Sequence, residues 1–287
     1  MRRCTFPPPG TPVECAFSGG ADSTALVILA KAAGCRVAAI HVDHGLRPTS
    51  GAEAAQASAI ARSLGVEFRC LRAEVAPGPN LEARARDARR AVLPAGHLTG
   101  HTADDQAETV LINLLRGAGL GGLAAMTPGP AHPILALRRA ETRRLCAELG
   151  IEVVADPSND DPRFVRNRIR AEVLPLLDDI AGRDVAALLA RTSDVVRDDL
   201  ALLDRLAAAI EVTDARALAA TDPALARRAL RTWLAAGGHP PDRDGLERAY
   251  AVAAGERRAC ELSGGIRLER SGGRLRIVDT TAVTSAP

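Results

Sequence analysis

Lysine is almost missing from this chain: among 287 residues, Lys31 is the only one. A phosphate loop of the G-x-x-x-x-G-K-S/T kind needs a lysine after its second glycine, and Lys31 has no such setting, so that mode is excluded. Aromatic residues make up 2% of the chain, too few for the stacking platforms of a single-strand-binding protein. The six cysteines, at positions 4, 15, 35, 70, 146 and 260, form no C-x-x-C pair. Without finger-like spacing either, a zinc or iron–sulfur site has little support. Reduced thiols are expected, with Cys15, Cys35 and Cys70 as small buried hydrophobes in apolar stretches. No apolar run is long enough to span a bilayer. The N-terminus passes straight into Pro7, Pro8 and Pro9 without an apolar segment, so no secretory signal is expected and a cytoplasmic location is. Lys and Arg total 37 against 35 for Asp and Glu, a net charge of +2. A global basic field is therefore not what would draw a nucleic acid.

What the chain does have is a regular alternation. Val13 to Phe17 reads as a buried strand entering a glycine turn, and Ala21 to Ala33 as a helix stopped by Gly34. Strands follow at Val37 to Val42 and Val66 to Leu71, with a helix from Glu53 to Leu64 between them. Asn80 caps a helix to Val92, a short strand spans His97 to Gly100, and Asp104 to Leu115 is helical. Such alternation predicts an α/β fold with a doubly wound parallel sheet. A helix at Arg139 to Leu149, a strand at Ile151 to Val154 and a basic helix at Arg163 to Leu177 come next. Beyond Asp178 the pattern becomes mainly helical, closing on a hairpin around Gly272 and Gly273. The expected domains are residues 1–177 and 178–287.

Ser18-Gly19-Gly20-Ala21-Asp22-Ser23 lies between the first strand and helix. Two glycines allow close backbone approach, and the helix N-terminus offers free N–H groups to an anion such as pyrophosphate. A plain tight turn has the same form. Gly117 to Gly122 fits G-x-G-x-x-G but follows a helix, so a loop is expected there rather than a dinucleotide site. His101 to Thr109 opens a helix at a strand tip. Asp105 there could hold Mg²⁺ on a triphosphate, or act only as a first-turn acid. Arg163, Arg166, Arg168 and Arg170 crowd one segment, either to grip phosphates or as a solvated face.

These segments, with Val42 to Pro48, Asn80 to Glu82, Leu115 to Gly119, Asp156 to Asn159 and Arg166 to Arg170 in this order, resemble the tRNA(Ile)-lysidine synthetases. Those are N-type ATP pyrophosphatases, or PP-loop enzymes, with an S-G-G-x-D-S loop. The resemblance implies a ligase that adenylates C2 of the wobble cytidine of tRNA(Ile) with a CAU anticodon, then joins free L-lysine to it, releasing AMP and pyrophosphate. It implies ATP and Mg²⁺ as cofactors. Ser18, Gly19, Gly20, Ala21, Asp22 and Ser23, with His41 and His101, would bind ATP. Asp22, Asp105 and Arg116 would be catalytic, with Asp22 and Asp105 holding the metal. Asn159, Arg166, Asn167 and Arg170 would meet tRNA, helped by the helical domain 178–287. No membrane is implied, and the oligomeric state is left open to a homodimer.

The chain departs from the family at Arg90, where an aromatic is usual, and at Thr102, a frequent second histidine. Relatives with a further C-terminal domain would contact tRNA through it, and that mode is expected to be missing here. A tRNA thiolase of the same superfamily would need catalytic or cluster cysteines. Other amidating synthetases leave the Asp156 to Asn159 and arginine segments unexplained. A non-catalytic nucleotide-binding regulator would share the glycine turn and differ by releasing no pyrophosphate.

Overall fold

The computed structural model describes residues 1–43, 45, 50–76, 78, 81–154, 161–236 and 240–279. The three strands β1 (Pro12–Ala16), β2 (Arg36–Asp43) and β3 (Glu67–Arg72) are joined by α1 (Ala21–Ala32) and α2 (Ser50–Ser63), and pair in parallel in the order β1-β2-β3. Leu98 lies along the other edge of β1: its N–H donates to Glu14 O, and Ala16 N–H donates to Leu98 O, both at 2.8 Å. The strand order thus turns at β1, the kind of place where open α/β sheets bind ligands.

Alternation along the strands fills both faces. Val13, Cys15, Phe17 and Ala39 pack with Leu26 and Val27 of α1 and Ala57 and Ile60 of α2. Ala16, Ala38 and Ile40 point the other way, onto Leu93 after α3 (Leu81–Val92). Both faces are covered, as a doubly wound sheet requires. Three expectations need correction. The strand at 97–100 is a single bridge at Leu98, because Pro94 and the helix cap at Thr102 leave no length for a ladder. Among the described residues, the segment 151–154 forms no ladder and meets the glycine turn through Val154 N–H, which donates to Gly19 O at 2.9 Å. Cys70 is exposed, since β3 is an edge strand with only Phe68 and Leu71 half-buried.

After β3 and α3 come α4 (Ala103–Leu115), a one-turn α5 (Leu120–Leu123) and α6 (Arg139–Glu148). The glycine segment 117–122 is thus partly helical rather than a loop, pinned by Asn113 Nδ2 donating to Gly122 O at 2.8 Å. The basic helix is broken in three: α7 (Val165–Arg168), a π-helical turn (Ile169–Val173) and α8 (Leu174–Ala181). Pro175 has no N–H to donate, and the ladder ahead of it widens.

The chain divides into two compact units, Met1–Arg197 and Asp198–Pro287. The division falls within α9 (Val185–Ala208), later than the pattern change at residue 178. In the second unit, α10 (Ala215–Ala220), α11 (Pro223–Ala235) and α12 (Arg243–Ala254) each start at an aspartate that accepts first-turn N–H groups: Asp214, Asp222 and Asp242. An antiparallel sheet follows, β4 (Ala259–Leu262), β5 (Ile266–Ser271) and β6 (Arg274–Asp279). The hairpin at Gly272 and Gly273 appears as expected, both with positive φ. Neither α10 nor β4 was foreseen; six and four residues are too few for a periodic signal. Leu218, Leu230, Leu234, Val252 and Leu268 form this unit's own core.

Candidate active site

The glycine turn begins where β1 ends. Gly19 has φ +80°, and a Cβ there would meet Val154 Cγ2 at 2.6 Å. Gly20 is the N-cap of α1 and gives the first turn no side-chain acceptor. The turn is drawn in by its serines: Ser18 N–H donates to Ser23 Oγ at 3.2 Å, and Ser23 Oγ donates to Gly20 O at 3.0 Å. Ser18 Oγ sits 3.1 Å from Ser23 Oγ. The result is a helix N-terminus with backbone donors and hydroxyls, which suits an anion.

Two histidines stand on either side of the β1 tip, one at the end of β2 and one after the Leu98 bridge. His41, buried at the end of β2, donates from Nδ1 to Phe17 O at 3.0 Å. Burial pulls its pKa down, against the pull of that hydrogen bond. His101 shares the Thr99 hydroxyl with His132, at 2.8 and 2.6 Å, and the two Nδ1 atoms are 3.3 Å apart. Burial lowers the His101 pKa to about 4, with Asp105 acting in the opposite direction. It is a neutral ring at pH 7.

Acids and arginines converge beside the turn. Thr102 caps α4, receiving Asp105 in return: Thr102 N–H and Oγ1 both donate to Asp105 Oδ2 at 2.9 Å. Gly100 lets this strand tip press on α1, since a Cβ there would meet Asp22 O at 2.7 Å. Arg139, the first residue of α6, then ties three carboxylates together. It donates from Nε to Asp22 at 3.3 Å, from Nη2 to Asp105 at 2.9 Å and from Nη1 to Glu108 at 2.9 Å. Thr142, one turn on, donates to Asp22. Arg138 clasps Asp104 through Nε at 3.0 Å and Nη2 at 2.8 Å. Glu108 is fully buried and also receives Arg166 Nε at 2.7 Å and Arg170 Nε at 2.8 Å.

Burial raises the Asp22 carboxyl pKa, outweighing Thr142 and Arg139, which pull it down. Burial also works to raise Asp105, but Arg139, His101 and Arg166 outweigh it and hold that group below the usual carboxylate range.

Of the residues singled out from sequence, the structure brings together Ser18 to Ser23, Asp22, Asp105 and the strand-tip histidines His41 and His101. Arg166 and Arg170 are placed on Glu108. Asn167 donates to Asp161 O at 3.0 Å. Arg116 is the exposed C-cap of α4, about 16 Å along the helix from Asp105. Asn159, Asn80 and the segment Asp156 to Asn159 lie outside the described residues. Arg139, Glu108 and Thr142 were missed. A signal existed: Glu108 stands three and four residues after the two aspartates, on their face of α4. Arg138 and Arg139 begin α6, where a helix dipole disfavours cations, so acids had to be waiting for them.

The donor set fits a magnesium ion carried on a nucleotide. Asp22 and Asp105 address one common guanidinium, and Mg²⁺ takes one or two carboxylates plus phosphate oxygens. Among the described residues no group of three or more His, Cys, Asp or Glu could hold a metal by itself. Also among them, no helix is long and apolar enough to cross a membrane.

The chain is similar to known proteins along most of its length. Residues 7–177 match the PP-loop domain family, and residues 214–276 match the TilS substrate binding domain. The tRNA(Ile)-lysidine synthase of Nocardia farcinica is 49% identical over 249 residues, covering 80% of this chain and 78% of that protein. That of Rhodococcus jostii is 44% identical over 250 residues, covering 80% and 76%. Among solved structures, a U34-tRNA thiolase from Methanococcus maripaludis is similar in fold, with a TM-score of 0.54 at 17% identity over 66% of this chain and 73% of that one. With a PP-loop at the turn of its sheet and close relatives along four-fifths of its length, the chain belongs to the tRNA(Ile)-lysidine synthase family of ligases.

Proposed function

We propose that this chain joins free L-lysine to C2 of the wobble cytidine of a CAU-anticodon tRNA(Ile), in the cytoplasm, at the expense of ATP. The observation that carries the reading is the meeting of the uncapped Ser18–Ser23 turn, with its own Asp22, and Asp105 across one guanidinium. C2 of cytidine resists attack by an amine until its oxygen becomes a leaving group. Bonding that oxygen to the α-phosphorus of ATP, with pyrophosphate leaving, makes it one. The lysine ε-amine then attacks C2, and AMP departs with the oxygen.

The first-turn N–H groups of α1 and the Ser18 and Ser23 hydroxyls would receive the departing pyrophosphate. Asp22 and Asp105 would hold Mg²⁺, which when bound neutralises charge on the phosphates. His101, neutral and tied through Nδ1 to Thr99, would present Nε2 to the nucleotide without adding charge. Recognition of tRNA is proposed for Asn159, Arg166, Asn167 and Arg170 and for the second unit, within which residues 214–276 match a substrate binding domain.

The test is pyrophosphate release from ATP with tRNA(Ile) bearing CAU, with tRNA(Met) as control, each with and without lysine. Release only with tRNA(Ile), with labelled lysine entering that RNA, is the expected result. Release without tRNA, or no release from folded protein, would sink the reading.

A further inference from the structure

The two carboxylates that the reaction calls on already hold a cation in this structure. One guanidinium, 11% exposed, spans Asp22, Asp105 and Glu108 with three of its donors. Its three partners are not equivalent. Without Arg139, Glu108 still has Arg166 at 2.7 Å and Arg170 at 2.8 Å. Asp105 would keep only the N–H and hydroxyl of Thr102, and Asp22 only the hydroxyl of Thr142, among the described residues. Among the described residues, Arg139 is therefore the one cation hydrogen-bonded to the Asp22–Asp105 pair, with Arg166 acting on Asp105 only through space. Two partly buried carboxylates stripped of their cation repel one another and carry an uncompensated desolvation cost.

We propose that Arg139 is an internal counter-cation: a positioning residue that holds the Asp22 and Asp105 carboxylates in the free enzyme and releases them to Mg²⁺ only when the ion arrives on a nucleotide. The inference rests on the proposed metal role of those two aspartates. Guanidinium and Mg²⁺ compete for the same oxygens. A bare hydrated ion would have to shed water and draw both aspartates away from a guanidinium that would be left with Glu108 alone. An ion carried on a triphosphate brings phosphate oxygens, which a guanidinium binds in its preferred forked geometry. Glu108, still held by two arginines, would stay in place through the exchange and keep α4 anchored. The arrangement thus orders the encounter, nucleotide with metal, and disfavours metal alone.

The probe is Mn²⁺ alone, followed by the electron paramagnetic resonance of the free ion, on the full chain. Wild type should bind Mn²⁺ weakly without nucleotide and tightly with a non-hydrolysable ATP analogue. Arg139→Gln should bind Mn²⁺ without nucleotide about tenfold more tightly than wild type, the effect of one neighbouring charge removed. Adding Asp105→Asn should cancel the gain. Arg139→Lys keeps the charge but not the fork, and should fall between; it serves if circular dichroism shows the glutamine variant unfolded. Unchanged or weaker nucleotide-free binding in a folded variant overturns the counter-cation role. The underlying reading fails separately: if Asp22→Asn and Asp105→Asn leave Mn²⁺ binding with the analogue intact, these aspartates are not the metal's ligands, whatever Arg139 does.

Discussion

At the scale of single residues, Glu108 decides how the site is held. It is a fully buried carboxylate with three arginines on it, from α6, α7 and the π-helical turn. Removing one member of such a cluster leaves the others buried without their counter-charge, at a cost of about 3–5 kcal/mol. Glu108→Gln should therefore lower stability by that order in urea unfolding, although its amide fills the same volume. A shift under 1 kcal/mol would mean that water already compensates the arginines. His101 makes a second prediction, for pH. Its folded pKa is near 4, below the ordinary value of 6.5 for an unfolded histidine. Both states are neutral above 6.5; as pH falls from there toward 4, only the unfolded state takes up the proton, so stability is lost across that window. The loss is on the order of 3 kcal/mol at its acid end. His41 and His132, also lowered first by burial, act in the same direction. Unfolding curves at pH 7 and pH 4.5 should show the drop, and His101→Gln should flatten it.

At the scale of elements, the site depends on Gly19 and Gly100, which let segments touch. Gly100→Ala puts a Cβ 2.7 Å from Asp22 O and 3.0 Å from Ser23 N, so the start of α1 must move. The turn that would cradle phosphate moves with it. The expectation is a loss of about 1–3 kcal/mol in stability and a larger proportional loss in ATP affinity, read by calorimetric titration. Gly51 lies in α2 with nothing near its Cβ position, so Gly51→Ala should be neutral or stabilising by up to about 1 kcal/mol, with ATP affinity unchanged. Equal effects at both positions would remove the argument from close approach. The same contrast explains what was legible in the sequence. β1, β2, α1 and α4 were readable because continuous apolar runs and glycine stops are local signals. The clasp of Arg139 on Asp22 was not, because it joins residues 117 positions apart in the chain. The break in the basic helix needed the geometry around Pro175, and the exposure of Cys70 needed the knowledge that β3 has no described neighbour beyond it.

At the scale of the whole molecule, a net charge of +2 gives no long-range pull on an RNA, so the proposed recognition of tRNA rests on local contacts, including those of a second unit that matches a substrate binding domain. Each unit has a core of its own: Leu26 and Val27 are fully buried in the first, Leu230 and Leu268 in the second. A cavity left by truncating such a leucine costs about 2–5 kcal/mol, and the cost falls on the core that contains it. Calorimetry of the full chain should therefore show two transitions, since a chain of two cores need not unfold in one step. Leu26→Ala should lower one of them and Leu230→Ala the other. A single transition that both variants shift alike would make the chain one cooperative body. The functional consequence follows from the same separation. At a temperature where Leu230→Ala has melted only its own unit, ATP binding by the PP-loop unit should persist while tRNA-dependent pyrophosphate release is lost. If release survives as well, recognition of the tRNA belongs to the first unit, and the arginines around Glu108 are where to look for it.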